Sequence, residues 1–204
     1  MKREEKNQQT RRRIIDCALE EFGQRGYRGS SVNNICAAGG VSKGIIYHYF
    51  HTKDELYLAC VGECFQHLTQ YLREYPIVQD NPVEKQLEHY FACRMDFFLS
   101  HPVYQPIFCE AATNPPANLQ EGIRACRQGF DQFNAGILEG MLRQLPLRRG
   151  MARADVVEVL RQLQDFINAQ YRMTPTGPEK FRARDESCRR ALDILLYGII
   201  ERKE

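Results

Sequence analysis

The sequence predicts an all-α protein built in two parts. Three observations lead there: apolar residues recur at helical spacing along most of the 204 residues, alternating strand patterns are almost absent, and the breaks fall where glycine and proline cluster. Residues 1–52 are expected to form a small three-helix domain and residues 53–204 a larger helical one. A hydrophobic content of 43% suffices for a buried core.

The first helix is expected from Thr10 to Gly26, where Ile14, Ile15, Ala18, Leu19 and Phe22 share one face and Gly23 and Gly26 mark the end. After a turn over 27–30, Ser31 suits the N-cap of a short helix that turns Val32, Ile35 and Ala38 inward, because its hydroxyl accepts an orphan N–H of the first turn. Gly39 or Gly40 closes that helix in the left-handed conformation, and Ser42 caps the next. Two short helices joined by a glycine-bearing turn make a helix-turn-helix.

The segment GGVSKGIIYHYF, residues 39–50, sets the chemistry of the third helix. Ile46 and Phe50 stand four residues apart and face the preceding helices, which leaves Lys43, Gly44, Tyr47 and His48 toward solvent, flanked by Ile45 and Tyr49. That face suits a DNA groove better than a protein interior. Lys43 reaches a phosphate or a guanine edge, Gly44 permits close backbone approach, and the rings donate to phosphates or stack on sugars and thymine methyls.

Charge agrees with this placement. Residues 1–60 hold ten Lys/Arg and seven Asp/Glu, a balance of +3, while the rest carries −1. Lys2, Arg3, Lys6 and the run Arg11, Arg12, Arg13 make the N-terminal third the side for a polyanion, although such runs often form only a solvated face. The polar N-terminus and the lack of an apolar run near the ~20 residues of a membrane span predict a cytoplasmic protein without a membrane partner. In that reducing setting the eight cysteines are expected to behave mostly as small buried hydrophobes.

From Ile14 to Leu56 the chain resembles the DNA-binding region of the TetR family of bacterial transcriptional repressors. The family's pattern is matched by Phe22, Gly26, Tyr27, Ser30, Ser31, Val32, Ile35, Gly40, Val41, Ser42, Gly44, Tyr47, Phe50, Thr52, Lys53 and Leu56. The resemblance implies that Ser31, Ser42, Lys43, Tyr47, Tyr49 and Lys53 hold the phosphate backbone of a double-stranded operator. It makes Asn33, Lys43, Gly44, Ile45 and His48 the candidates for base edges. Cys36 and Gly39 replace the usual alanines, and Ile45 stands where threonine is common, exchanging a hydroxyl for contact with a thymine methyl.

A long helix is expected from about Thr52 to Tyr75, with Leu56, Cys60, Val61, Cys64, Leu68, Tyr71 and Leu72 as its stripe. Cys60, Cys64 and His67 share a face at a spacing that metal sites use, but buried cysteines on an apolar stripe predict the same pattern, and no metal is assigned. Further helices are expected over 83–100, 103–112, 117–144, 153–171 and 179–201. Two of them carry apolar stripes wide enough for burial on a second side, and Leu160, Leu163, Ile167, Leu192, Leu195, Leu196 and Ile199 are expected to pair with a second copy in a four-helix bundle, as the family does. Such a homodimer presents two reading helices about 34 Å apart.

An unknown small-molecule effector completes the expected partners. Phe91, Met95, Phe98, Tyr104, Phe108, Phe130, Phe133, Ile137 and Met141 are the bulky residues from which an apolar pocket is made, with Glu110, Asn134 and Gln105 as polar candidates. The resulting expectation is a dimeric repressor that needs no cofactor and leaves its operator when a largely apolar ligand binds. A redox- or metal-responsive regulator using cysteines, and a helical interaction protein without DNA binding, are the alternatives. An enzyme is not expected, because no nucleophile with a base, phosphate loop or HExxH run is present.

Overall fold

The computed structural model describes residues 3–75, 81–143, 145–170 and 178–199, and among these are nine α-helices and no β-strand. They are α1 (Arg3–Gly29), α2 (Val32–Gly39), α3 (Lys43–Tyr49), α4 (Lys53–Glu74), α5 (Val83–Ser100), α6 (Tyr104–Thr113), α7 (Gln120–Leu142), α8 (Arg153–Gln170) and α9 (Pro178–Ile199). A 3-10 turn at Ala117–Leu119 leads into α7. No described helix is long and apolar enough to cross a membrane.

The chain divides into two compact units, residues 1–67 with 101–128 and residues 68–100 with 129–204. In the first, α1 begins at Arg3 rather than at Thr10. Its opening turns have no apolar period, but they consist of good helix formers and place Glu4 and Glu5 at the positive end of the helix dipole. Thr10 bonds back to Lys6 O at 2.9 Å, a mid-helix arrangement rather than a cap.

At its other end α1 breaks at Gly26, with φ 66° and ψ 174°. The break takes the Tyr27 N–H out of the helical ladder, and the Glu110 carboxylate of α6 accepts it at 3.0 and 3.2 Å while also accepting from the Tyr57 hydroxyl at 2.9 Å. A Cβ on Gly26 would lie 3.1 Å from Glu110 Oε1, so backbone conformation and close approach both demand glycine here. Ile14, Ile15, Ala18, Leu19 and Phe22 of α1 are buried as their spacing predicts, with Ile35, Ile46, Phe50, Leu56 and Tyr57 completing the core.

The second unit buries Leu87, Phe91, Met95, Phe97 and Phe98 of α5 with Phe130, Leu138, Met141 and Leu142 of α7 and Val156, Val157 and Leu160 of α8. Leu192 and Leu196 of α9 join this core.

Candidate nucleic-acid interface

Each short helix around the turn is closed by its own side chains. Ser31 Oγ accepts the Asn33 N–H at 3.2 Å to start α2, and Glu21 of α1 holds that start from outside, accepting from Ser31 N at 3.0 Å and Asn34 Nδ2 at 2.9 Å. Gly40 ends α2 at φ 57° and ψ 34°, with its N–H on Ala37 O and the Val41 N–H on Cys36 O, the Schellman arrangement. Ser42 Oγ then accepts the Ile45 N–H at 3.3 Å and starts α3. One detail differs from expectation: Gly39, not Ala38, lies on the buried face of α2 beside Val32 and Ile35, because the buried stripe continues at i+7 from Val32.

These caps aim α3 outward. Ile46 and Phe50 are buried against the first unit, whereas Lys43, Gly44, Ile45, Tyr47 and His48 are exposed and Tyr49 is half-buried. Lys43 Nζ stands 5.9 Å above the Tyr47 ring, and the His48 and Tyr49 rings meet edge to face at 5.2 Å. Asn33 is exposed on α2, and the hydroxyls of Ser31 and Ser42 accept at their caps while keeping their own protons to donate.

Lys53 is more constrained than its sequence position suggests. Its ammonium donates to Ser30 O at 2.8 Å and sits 4.7 Å above the Tyr27 ring, tying the α1–α2 connection to the start of α4. That start is capped by Thr52 Oγ1, which accepts from Glu55 N at 3.0 Å, while the Glu55 carboxylate accepts from His51 N, one residue before the cap, at 2.7 Å.

Helix α1 supplies neighbours that the pattern of the turn did not reveal. Tyr49 Oη donates to Asn7 Oδ1 at 3.3 Å, and Arg13 lies so close to Gly40 that a Cβ there would be 3.2 Å from its guanidinium. Of the basic run, Arg11 stacks over Phe50 at 5.2 Å. Arg12 is bound within the protein by Asp16 and, at 2.7 and 2.9 Å, by Glu63 of α4, contacts that push its pKa up. Sequence proximity alone cannot separate these three roles.

The residues expected to line a pocket do not share one unit. Tyr104, Phe108, Gln105 and Glu110 belong to the first, and Phe91, Met95, Phe98, Phe130, Phe133, Asn134, Ile137 and Met141 to the second. Glu110 departs from its expected role, since its carboxylate serves the α1 break and Tyr57, and Tyr104 donates to Glu63 at 2.8 Å. Asn134 is fully buried, accepting from Tyr90 Oη at 2.8 Å.

Among the residues expected at a dimer contact, Leu160, Leu192 and Leu196 are buried within the chain itself, because they face its own core. Leu163, Ile167 and Leu195 are half-buried, and the Ile199 side chain lies outside the described residues. Among the described residues, the exposed large apolar groups on these helices are Val159, Phe166 (56% exposed), Ile194 (69%) and Tyr197. Cys60 and Cys64 are buried while His67 is exposed, so the three do not converge, and no cluster suited to a metal ion occurs among the described residues. Burial pushes the thiols of Cys60, Cys64, Cys93 and Cys126 up, away from the reactive thiolate.

A capped turn carrying an exposed polar and aromatic helix has clear parallels. Residues 14–60 match the profile of the bacterial regulatory proteins of the tetR family. The chain belongs to this family. TetR-family regulators are helix-turn-helix transcriptional regulators, and two relatives illustrate the extent of the likeness. The transcriptional regulator CymR of Pseudomonas putida is 26% identical over 76% of this chain and 74% of its own length. UidR of Escherichia coli is 29% identical over 53% of this chain and 55% of its own. The fold agrees with that of TetR-family structures: one from Chloroflexus aurantiacus has a TM-score of 0.71 at 22% identity over 96% of this chain and 95% of that one. FadR of Bacillus subtilis, solved in complex with stearoyl-CoA, has a TM-score of 0.72 at 19% identity over 92% and 98%.

Proposed function

We propose that this TetR-family chain is a cytoplasmic, dimeric repressor that binds a double-stranded operator through α3 and leaves it when a small, largely apolar effector binds. The observation that carries the reading is the face of α3: Lys43, Tyr47 and His48 stand exposed on a helix whose opposite side is fixed in the core by Ile46 and Phe50. Ser31, Ser42, Lys43, Tyr47 and Tyr49 hold phosphates, and Asn33, Gly44, Ile45 and His48 meet base edges. Lys53 contributes by fixing the turn as much as by its charge.

Two copies join through the apolar surface of α8 and α9, with Phe166 and Ile194 at its centre, since burying such groups on a second chain removes them from water. Repression then depends on the spacing of the two α3 helices. The links from α6 to the α1 break through Glu110, and to Arg12 through Tyr104 and Glu63, make α6 the element whose displacement reaches the reading head. The domain division at residue 52 describes this division of labour. Burial of Cys60 and Cys64 away from solvent favours an effector over chemistry at these two thiols as the trigger.

A mobility-shift assay with the DNA upstream of the chain's own gene tests the proposal. A retarded band that survives non-specific competitor and contains two copies of the chain is expected, and absence of sequence preference would contradict it.

A further inference from the structure

Helices α5, α7 and α8 bring polar side chains into the interior of the second unit, where aliphatic residues would pack at less cost. Arg94 is 1% exposed, Asn134 0% and Gln164 2%. Asn134 Nδ2 donates to Gln164 Oε1 at 3.3 Å, and Arg94 donates to the same oxygen at 2.5 Å. The guanidinium carbon of Arg94 lies 5.2 Å from the Phe130 ring centre. Because both neighbours of Gln164 present N–H groups to it, its amide must turn its oxygen toward them. Its Nε2 is thereby committed as a donor, and it is buried with no hydrogen-bond partner among the described residues. A buried amide donor calls for an acceptor.

Resting on the effector reading above, we propose that this network is the polar end of the effector site and that the effector is an organic acid. One carboxylate oxygen accepts from Gln164 Nε2 and the other from Arg94, while the acid's apolar body lies against Phe130. An acid fits better than a cation because the unpartnered group, Gln164 Nε2, is a donor and the best-buried charge beside it is a guanidinium. It fits better than a neutral carbonyl because Arg94 meets Asp165 through a 3.3 Å contact that an incoming carboxylate can replace. Asp165 keeps a second cation nearby, Arg161, whose pKa is raised chiefly by its hydrogen bond to Glu158, with smaller contributions from Asp131 and Asp165.

The test measures binding of octanoate, dodecanoate, benzoate and 4-butylbenzoate, each against its primary amide, by calorimetry, together with release of labelled upstream DNA. At least one acid is expected to bind the native protein about tenfold or more tighter than its amide, and to lose about tenfold or more in affinity in Gln164→Met, which removes the donor at similar volume. Gln164→Glu, which keeps an acceptor for Arg94 and sets a like charge against the ligand, is expected to lose acid binding as well. Equal binding of acid and amide by the native protein overturns the proposal without reference to any variant, as does undiminished acid binding by Gln164→Met. Release of DNA by neutral amides alone, retained in Gln164→Met, would remove this site and leave the effector reading standing. No binding and no release by any of the eight compounds would overturn the organic-acid assignment and withdraw support from the effector reading.

Discussion

Adjacent glycines at the end of α2 carry opposite physical demands, which makes them a sharp test at the scale of single residues. Gly40 holds a left-handed backbone, and a Cβ there would crowd Arg13 at 3.2 Å, so Gly40→Ala is expected to cost about 1–2 kcal/mol of stability. Gly39 has helical backbone, and its added Cβ would meet Val41 and Cys17 at 3.4 and 3.5 Å, ordinary contact distances. Gly39→Ala is therefore expected to stabilise by about 0.4–1 kcal/mol, mainly by restricting the unfolded chain. Urea denaturation of both variants checks the pair, and shifts of the same sign would contradict this account of the turn. Lys53 teaches a related lesson. Its bond to Ser30 O means that Lys53→Ala weakens the turn itself, so a loss of DNA binding in that variant cannot be assigned to a phosphate contact alone. Lys43, whose ring contact stays within α3, is the cleaner probe.

At the scale of elements, one carboxylate, that of Glu110, ties the break in α1 to α6. Glu110→Ala removes the acceptor of the Tyr27 N–H and of the Tyr57 hydroxyl, and it is expected to destabilise the protein by about 2–3 kcal/mol. Glu110→Gln keeps one acceptor oxygen and is expected to fall between. Hydrogen exchange at Tyr27 in Glu110→Ala should speed up while the Ile46 amide, held by the Ser42 carbonyl, keeps its rate. Equal acceleration at both sites would mean that the joint is not local. On α8 and α9, Phe166→Ser with Ile194→Ser is expected to convert a dimer to a monomer in sedimentation without loss of helicity, because both side chains are largely exposed in the single chain. A dimer that persists would place the contact elsewhere.

For the whole molecule, what the sequence reveals follows from how local each cause is. The caps at Ser31, Gly40 and Ser42 and the burial of Ile46 and Phe50 are set within a few residues, so their pattern is legible in the chain. The start of α1 is not legible in the same way, since a helix polar on all sides leaves no periodic trace. Long-range partners are hidden for a different reason: Glu110 meets Tyr27 across 83 positions and Arg94 meets Gln164 across 70, separations over which no local pattern names a partner. The same blindness affects the residues expected at a dimer contact. A wide apolar stripe predicts burial on a second side, but only the folded chain shows that Leu160, Leu192 and Leu196 face inward while Phe166 and Ile194 do not. The exposed face of α3 is readable because its polar and aromatic residues break the rule for interiors around Ile46 and Phe50 within positions 43–50, and the buried network of Arg94, Asn134 and Gln164 is not, because its members come from three helices.

The central claim is that the exposed face of α3 grips DNA, and a salt titration of binding to the upstream DNA, followed by fluorescence anisotropy in the native chain and in Lys43→Ala, tests it most directly. Log affinity is expected to fall linearly with log salt in the native protein, and the variant is expected to bind more weakly, with a slope flatter by about one unit for each phosphate it no longer neutralises. An unchanged affinity and an unchanged slope in Lys43→Ala would contradict the claim.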